Sequence, residues 1–220
     1  LIAGGARTFV CAPLHYQDRV IGTLELISRE PGDLNATHLP KLEEVLPLFS
    51  MAVQRSVEEL DTRIEALIKE GARLIVTVDC GTTSHGPLLA ARELGVDVVV
   101  IDHHQADERL PEVHALINAN RQDDLSGLGQ LCAAGVTFML LVAVARELRQ
   151  RGVPGGGANL LGMLDLVALA TVCDVVPLTG LNRAYVSKGL QVMRLRGNLG
   201  LRALSDAAGL AVAPTPYHLG

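Results

Sequence analysis

Five side chains stand out by type and position. Asp79 closes the apolar run that begins at Leu74, and Asp102 closes a second apolar run that begins at Asp97. His103 and His104 follow Asp102 directly, and Asp174 closes a long apolar stretch that ends at Cys173. Each has an ordinary reading. Asp79 alone is a turn former or helix cap, the histidine pair alone is a surface pair, and Asp174 alone is a helix-terminal acid reaching solvent. Taken together they point to a metal centre. A carboxylate in apolar company is costly to bury unless it is paired or ligates an ion, and carboxylates converging with imidazoles suit hard divalent ions, manganese or magnesium.

The elements around these residues support that convergence. Leu74–Asp79 reads as a buried strand, Cys80–Ser84 as a tight turn, and the next stretch as a helix to about Leu94 with Gly95 as its cap. Asp97–Asp102 is a second buried strand. This βαβ unit makes the two strands parallel neighbours, and ligand sites in parallel sheets lie beyond the carboxyl ends of the strands. Asp79 and Asp102 therefore belong on one edge. Val113–Ile117 reads as a third strand. Helices follow over about Ala133–Arg151, about Asn159–Cys173 and Leu181–Arg196, with a glycine-rich loop over Gly152–Gly157. The second of these is apolar enough to be expected buried. The fold class expected is α/β, a parallel-sheet core with buried helices.

The first 70 residues differ in character. Phe9–Leu14 and Val20–Ile27 read as a hairpin about the polar turn Tyr16–Arg19. Pro31–Asp33 breaks the pattern, and Asn35 or Thr37 caps a long helix with apolar positions from Leu42 to Val53 and a polar continuation from Gln54 to Glu70. Two domains are expected, 1–70 and 71–220.

Composition narrows the function. Of 220 residues 49% are hydrophobic and 20% charged, so a packed core is expected. Aromatics are 3% with no Trp, which argues against stacking many bases on aromatic rings. A net charge of −5 is not that of a general nucleic-acid coat. The segment from Val175 onward is nevertheless basic, with Arg183, Lys188, Arg194, Arg196 and Arg202 against Asp206. It reads either as a positive lip beside an acidic metal pocket, suited to a polyanion, or as an ordinary solvated helix face. The four cysteines, Cys11, Cys80, Cys132 and Cys173, are far apart and read as reduced, mostly buried thiols. No signal peptide and no apolar run of about 18 residues is recognisable, so a cytoplasmic protein is expected. The chain starts at Leu1 and ends at Gly220 without an obvious stop to its last element, as a fragment would.

Val78–Thr82, Val99–Gln105 and Asp165–Leu178 resemble the second, third and fourth motifs of the DHH family of phosphoesterases, and the RecJ branch fits best. Ile117–Arg121, Leu131–Phe138 and Leu181–Arg183 support that branch. The resemblance covers about 71–220 and implies hydrolysis of single-stranded DNA from the 5′ end, in DNA repair and recombination, with two Mn2+ or Mg2+ ions. It implies that Asp79 bridges the ions and that His103 and Asp174 ligate one of them. It further implies that His104 meets the scissile phosphate and that Asp102 orients the neighbouring imidazole. Arg121, Gly135 and Arg183 are the candidates for substrate binding. Gly135 either offers backbone N–H groups to a phosphate or lets helices pack closely.

The family's first motif supplies aspartates to the other metal. No Asp-x-Asp pattern occurs upstream of Asp79, so one metal position is expected to be incomplete. The second domain that closes the DNA channel in RecJ proteins lies outside this sequence. In place of the first motif, Ala12–Leu14, Val20–Leu26 and the long helix resemble the end of a GAF domain, a sensing or dimerising module. That resemblance implies a homodimer through residues 37–70. Two other functions fit these resemblances: a non-catalytic GAF-linked sensor or dimerisation module, and a DHH phosphodiesterase acting on short oligonucleotides or cyclic dinucleotides.

Overall fold

The computed structural model describes residues 8–16, 19–28, 40, 43, 46–47, 62–154, 156–210 and 212–219. The chain divides into two compact units, Leu1–Lys69 and Glu70–Gly220.

In the first unit β1 (Thr8–Tyr16) and β2 (Arg19–Ser28) form the expected antiparallel hairpin, with a register shift between Leu14 and His15. Residues 40, 43, 46–47 and 62–69 of the expected long helix are helical. The rest of that helix, with Asn35 and Thr37, lies outside the described residues.

The second unit begins with β3 (Leu74–Val78), α1 (His85–Glu93), β4 (Asp97–Ile101) and β5 (Ala115–Ile117). The three strands form one sheet in the order β3-β4-β5, parallel throughout. Alternation explains the faces of β3: Ile75 and Thr77 are buried, while Leu74, Val76 and Val78 are exposed. The β4 strand buries Val98, Val100 and Ile101. The α1 helix buries Leu88 and Ala91 and stops at Gly95, whose φ of 74° a side chain would resist. The Gly95 N–H donates to Arg92 O and the Val96 N–H to Ala91 O, which satisfies two of the last carbonyls and turns the chain into β4.

Helices follow: α2 (Ala133–Gln150), a 3-10 turn (Leu160–Met163), α3 (Leu164–Cys173), α4 (Gly180–Arg194), α5 (Leu199–Ala207) and a last 3-10 turn (Pro216–His218). One core cluster joins sheet and helices through Ile101, Leu131, Val136, Phe138, Leu164, Val167 and Tyr185. Within it Phe138 and Tyr185 meet edge-on, with ring centroids 5.4 Å apart.

Three expectations need correction. The apolar stretch from Asn159 is not one buried helix: it opens with a 3-10 turn, and Leu161, Met163 and Leu166 are exposed while Leu164, Val167, Ala168 and Thr171 are buried. Hydrophobicity all round the helix therefore did not mean burial all round. The α5 helix was not anticipated, because Gly197, Gly200 and Gly209 punctuate that segment. Among the described side chains the thiols of Cys80, Cys132 and Cys173 are free, but only Cys132 is buried, Cys80 is partly so, and Cys173, at the end of α3, is exposed.

Candidate metal centre

Parallel pairing of Val78 with Ile101 sets Asp79 and Asp102 side by side past the strand ends. The ladder runs one residue further at each. The Asp79 N–H donates to Ile101 O (2.9 Å), and the Asp102 N–H donates to Ile117 O (3.0 Å). Asp79 itself adopts φ 66°, a left-handed conformation that Asp tolerates better than most residues. The chain then crosses the sheet top at Gly81 (φ 115°), where an added Cβ would lie 2.8 Å from Thr77 Oγ1 and 3.1 Å from Val100 Cγ1. Glycine is thus required by both dihedral and space. The turn leaves the Asp79 side chain 63% exposed.

Asp102 is the opposite case, with 2% exposure. Its Oδ2 accepts the Thr82 N–H (3.0 Å). Its Oδ1 accepts the N–H groups of His103 (2.8 Å) and His104 (3.3 Å), and lies 2.7 Å from His104 Nδ1. Burial opposes ionisation, but hydrogen bonds from Thr82, His104 and the His103 backbone outweigh it and hold the carboxyl well below the usual carboxylate range. An ionised carboxylate only accepts, so His104 Nδ1 carries the hydrogen and Nε2 is the nitrogen presented outward.

The His103 ring sits between two carboxylates, with Nε2 3.1 Å from Asp79 Oδ1 and Nδ1 3.6 Å from Asp174 Oδ2. One ligand atom each from Asp79, His103 and His104 lies within 4.8 Å of the others. That is a mixed oxygen and nitrogen donor set, open on one side, and it fits a divalent ion with imidazole affinity such as manganese. Among the described residues no further acid joins this group of three, and Asp174 flanks it across His103.

Sequence reasoning missed the frame behind the histidines. Asn118 Nδ2 donates to Thr82 Oγ1 (2.9 Å) and to His104 O (2.8 Å). Asn118 Oδ1 accepts the Asn120 N–H (2.8 Å), and Asn120 Nδ2 donates to His103 O and to Gly129 O (3.0 Å). Two asparagines beyond β5 thus hold both histidine carbonyls. The signal was present in Ile117–Arg121, where two Asn alternate directly after a strand.

Asp174 caps the C-terminus of α3, and the next residue, Val175, has φ 56°. That position usually takes Gly, and a β-branched residue there is strained. Strain next to a candidate ligand is a means of fixing its direction. Val175 is 88% exposed, so Val175→Gly is expected to stabilise the fold by about 1 kcal/mol, read as a higher urea midpoint, while loosening Asp174.

Asp79 and Asp174 share a recess of about 580 Å³ with Ala133, Ala134 and Thr137 of α2. Cys132 precedes that helix without a side-chain cap, so its first N–H groups lack intrahelical acceptors at the recess. Gly135 lies in this turn, buried, and an added Cβ would meet Leu131 and Tyr185 at ordinary van der Waals distances of 3.5 and 3.7 Å. Arg121 is not brought to the cluster. Its guanidinium is paired with Asp123 and donates from Nη1 to Leu116 O (2.9 Å). Arg183 is exposed in the first turn of α4. Arg194, Arg196 and Arg202 line a separate cavity with Asp165, away from the metal centre.

The DHH family N-terminal domain matches residues 22–171, a span that begins within β2 and overlaps the segment resembling a GAF domain. The single-stranded-DNA-specific exonuclease RecJ of Dickeya dadantii is 43% identical over 161 residues, covering 69% of this chain and 28% of that protein. RecJ of Escherichia coli is 40% identical over 164 residues, covering 68% and 28%. The chain therefore spans 28% of the length of each of these relatives. A crystal structure of exonuclease RecJ bound to manganese superposes with a TM-score of 0.58 at 34% identity, over 72% of this chain and 38% of that one. Thermus thermophilus RecJ in complex with Mn2+ gives 0.56 at 32% identity, over 74% and 22%. With two parallel strands leading directly into Asp79 and Asp102, and His103 set between Asp79 and Asp174, this chain belongs to the DHH family.

Proposed function

We propose that this chain carries the phosphodiester-cleaving core of a metal-dependent, 5′-to-3′ exonuclease on single-stranded DNA. The observation that carries this reading is the His103 imidazole lodged between Asp79 and Asp174, beside a His104 fixed on Asp102. The names of the relatives supply the substrate class, and their manganese-bound structures supply the ion. Asp79 and His103 would hold the ion, with Asp174, which meets the other ring nitrogen of His103 here, as the third ligand once that ring turns; Mn2+ is preferred to Mg2+ because imidazole nitrogen takes part. When bound it supplies Lewis-acid charge on the phosphoryl oxygens and lowers the pKa of a water.

The protein's own part is positioning. Asp102 fixes the His104 tautomer, which leaves Nε2 to meet the phosphate. The uncapped N-terminus of α2 offers backbone N–H groups to the same anion. Residues 1–70 are read as the end of a GAF-type module able to pair two chains through residues 37–70. Work in DNA repair and recombination in the cytoplasm follows from this reading. No helix among the described residues is long and apolar enough to cross a membrane.

The test is release of nucleotides from 5′-labelled single-stranded DNA with manganese, for this chain and its His103→Ala variant. A drop of about 100-fold or more is expected on removing a ligand. Equal rates would sink the reading, and release from the 3′ end alone would reverse the polarity.

A further inference from the structure

A cavity of about 210 Å³ lies away from the metal centre, among α3, α4, α5 and residues 210 and 212–214. Asp165 is at its floor, in the first turn of α3, while Asp174 follows the last residue of the same helix. The cavity and the metal centre are therefore at opposite ends of α3, about 14 Å apart along its axis.

Asp165 is 3% exposed. Its Oδ1 accepts the N–H of the adjacent Leu166 (2.8 Å), and Oδ2 has no partner among the described residues. Oδ2 is not sealed from solvent, so this carboxylate oxygen is free to meet a ligand. Three arginines, Arg194, Arg196 and Arg202, line the same cavity. Arg196 is committed to Asp206, so Asp165 has no ion pair among the described residues, and neither have Arg194 and Arg202. Met193 and Leu210 add apolar wall.

A simple anion would meet the arginines but also the carboxylate, which repels it. A simple cation would meet the reverse. The lining calls for one ligand with an anionic end, a flat apolar body and an N–H donor edge.

We propose that this cavity binds a nucleoside monophosphate, with its phosphate on Arg194 and Arg202 and its base edge on Asp165. Guanine fits best, because its adjacent ring N–H and amino group present two donors to a carboxylate. The site is independent of the catalytic reading, since none of its residues belongs to the metal centre.

The experiment is calorimetric titration of the chain with GMP in the presence of a chelator, with inorganic phosphate and guanosine as separate arms. Saturable one-to-one binding of GMP is expected, tighter than either fragment by about tenfold or more. Arg202→Ala and Arg194→Ala, both at exposed positions that leave the fold intact, are each expected to weaken GMP by about tenfold. Asp165→Asn is expected to weaken GMP while strengthening inorganic phosphate, since the repelling carboxylate is gone. His103→Ala is expected to bind GMP as the parent does, which separates this site from the fate of the exonuclease reading. No binding of GMP, equal binding of GMP and inorganic phosphate, or an Arg202→Ala variant that binds GMP normally would each overturn the proposal.

Discussion

Asp102→Asn is expected to lower stability by about 2–4 kcal/mol and manganese affinity by about 10- to 100-fold, although it changes one atom. The native carboxylate accepts from four donors: the N–H groups of Thr82, His103 and His104, and Nδ1 of His104. An amide has one acceptor oxygen. If that oxygen faces the histidines, the amide N–H2 faces the Thr82 N–H, and two buried donors oppose each other. If it faces Thr82, three donors on the histidine side lose their acceptor. Either way the His103–His104 turn loses its anchor, and His104 loses the partner that fixes its tautomer.

Acid sensitivity should change as well. The native carboxyl is held below its usual range, so it contributes stability that is complete above the unfolded-state value of about 4. That contribution is lost as pH falls through the lower native value. The variant should therefore lose less stability than the parent below about pH 4. Urea unfolding at neutral and acid pH, with a manganese titration beside it, reads all three effects. An Asp102→Asn chain with the parent's midpoint and the parent's manganese affinity would show that the carboxylate does not hold the turn.

The parts of this site that follow from chain direction were legible in the sequence. Two apolar runs ending in acid, separated by one helix, are expected to be parallel neighbours, and the register of Val78 with Ile101 places Asp79 and Asp102 together as that tendency predicts. Asp174 came from the cost of an acid at the end of an apolar helix, and it does flank His103. What stayed hidden depends on contacts between residues distant in sequence. Asn118 reaches back 36 residues to Thr82, and no local pattern encodes that. The use of Arg121 was equally illegible: a guanidinium after a strand can face substrate or fold onto Asp123, and only the backbone path of the loop decides. The basic tail shows the same limit. Its charge was countable, but helix packing collected Arg194, Arg196 and Arg202 at the other end of α3 from Asp174.

The α3 helix that leads to Asp174 is held against α4 near its other end by a glycine, and Gly189→Ala is expected to cost at least about 2 kcal/mol. On helix propensity alone the change should help, since Ala is favoured over Gly inside a helix by about 1 kcal/mol. Gly189 lies within α4 against α3, and a Cβ built there would overlap the Leu164 carbonyl and the Ala168 Cβ. Those two residues are one turn apart on α3, so the methyl group meets a continuous ridge with no gap to enter. One obstacle is backbone, which cannot rotate away as a side chain can, so the two helices must separate. Separation would disturb the buried contacts of Val186, Leu190 and Met193 on α4 and shift α3 with Asp174 at its end.

A control isolates the cause. Gly86 lies within α1 with nothing within 4 Å of its added Cβ, so Gly86→Ala is expected to stabilise by up to about 1 kcal/mol. The same substitution in two helices should thus move the urea midpoint in opposite directions, with manganese affinity falling only for Gly189→Ala. If both variants unfold at or above the parent's midpoint, the close approach of α3 and α4 is not what holds Asp174 in place.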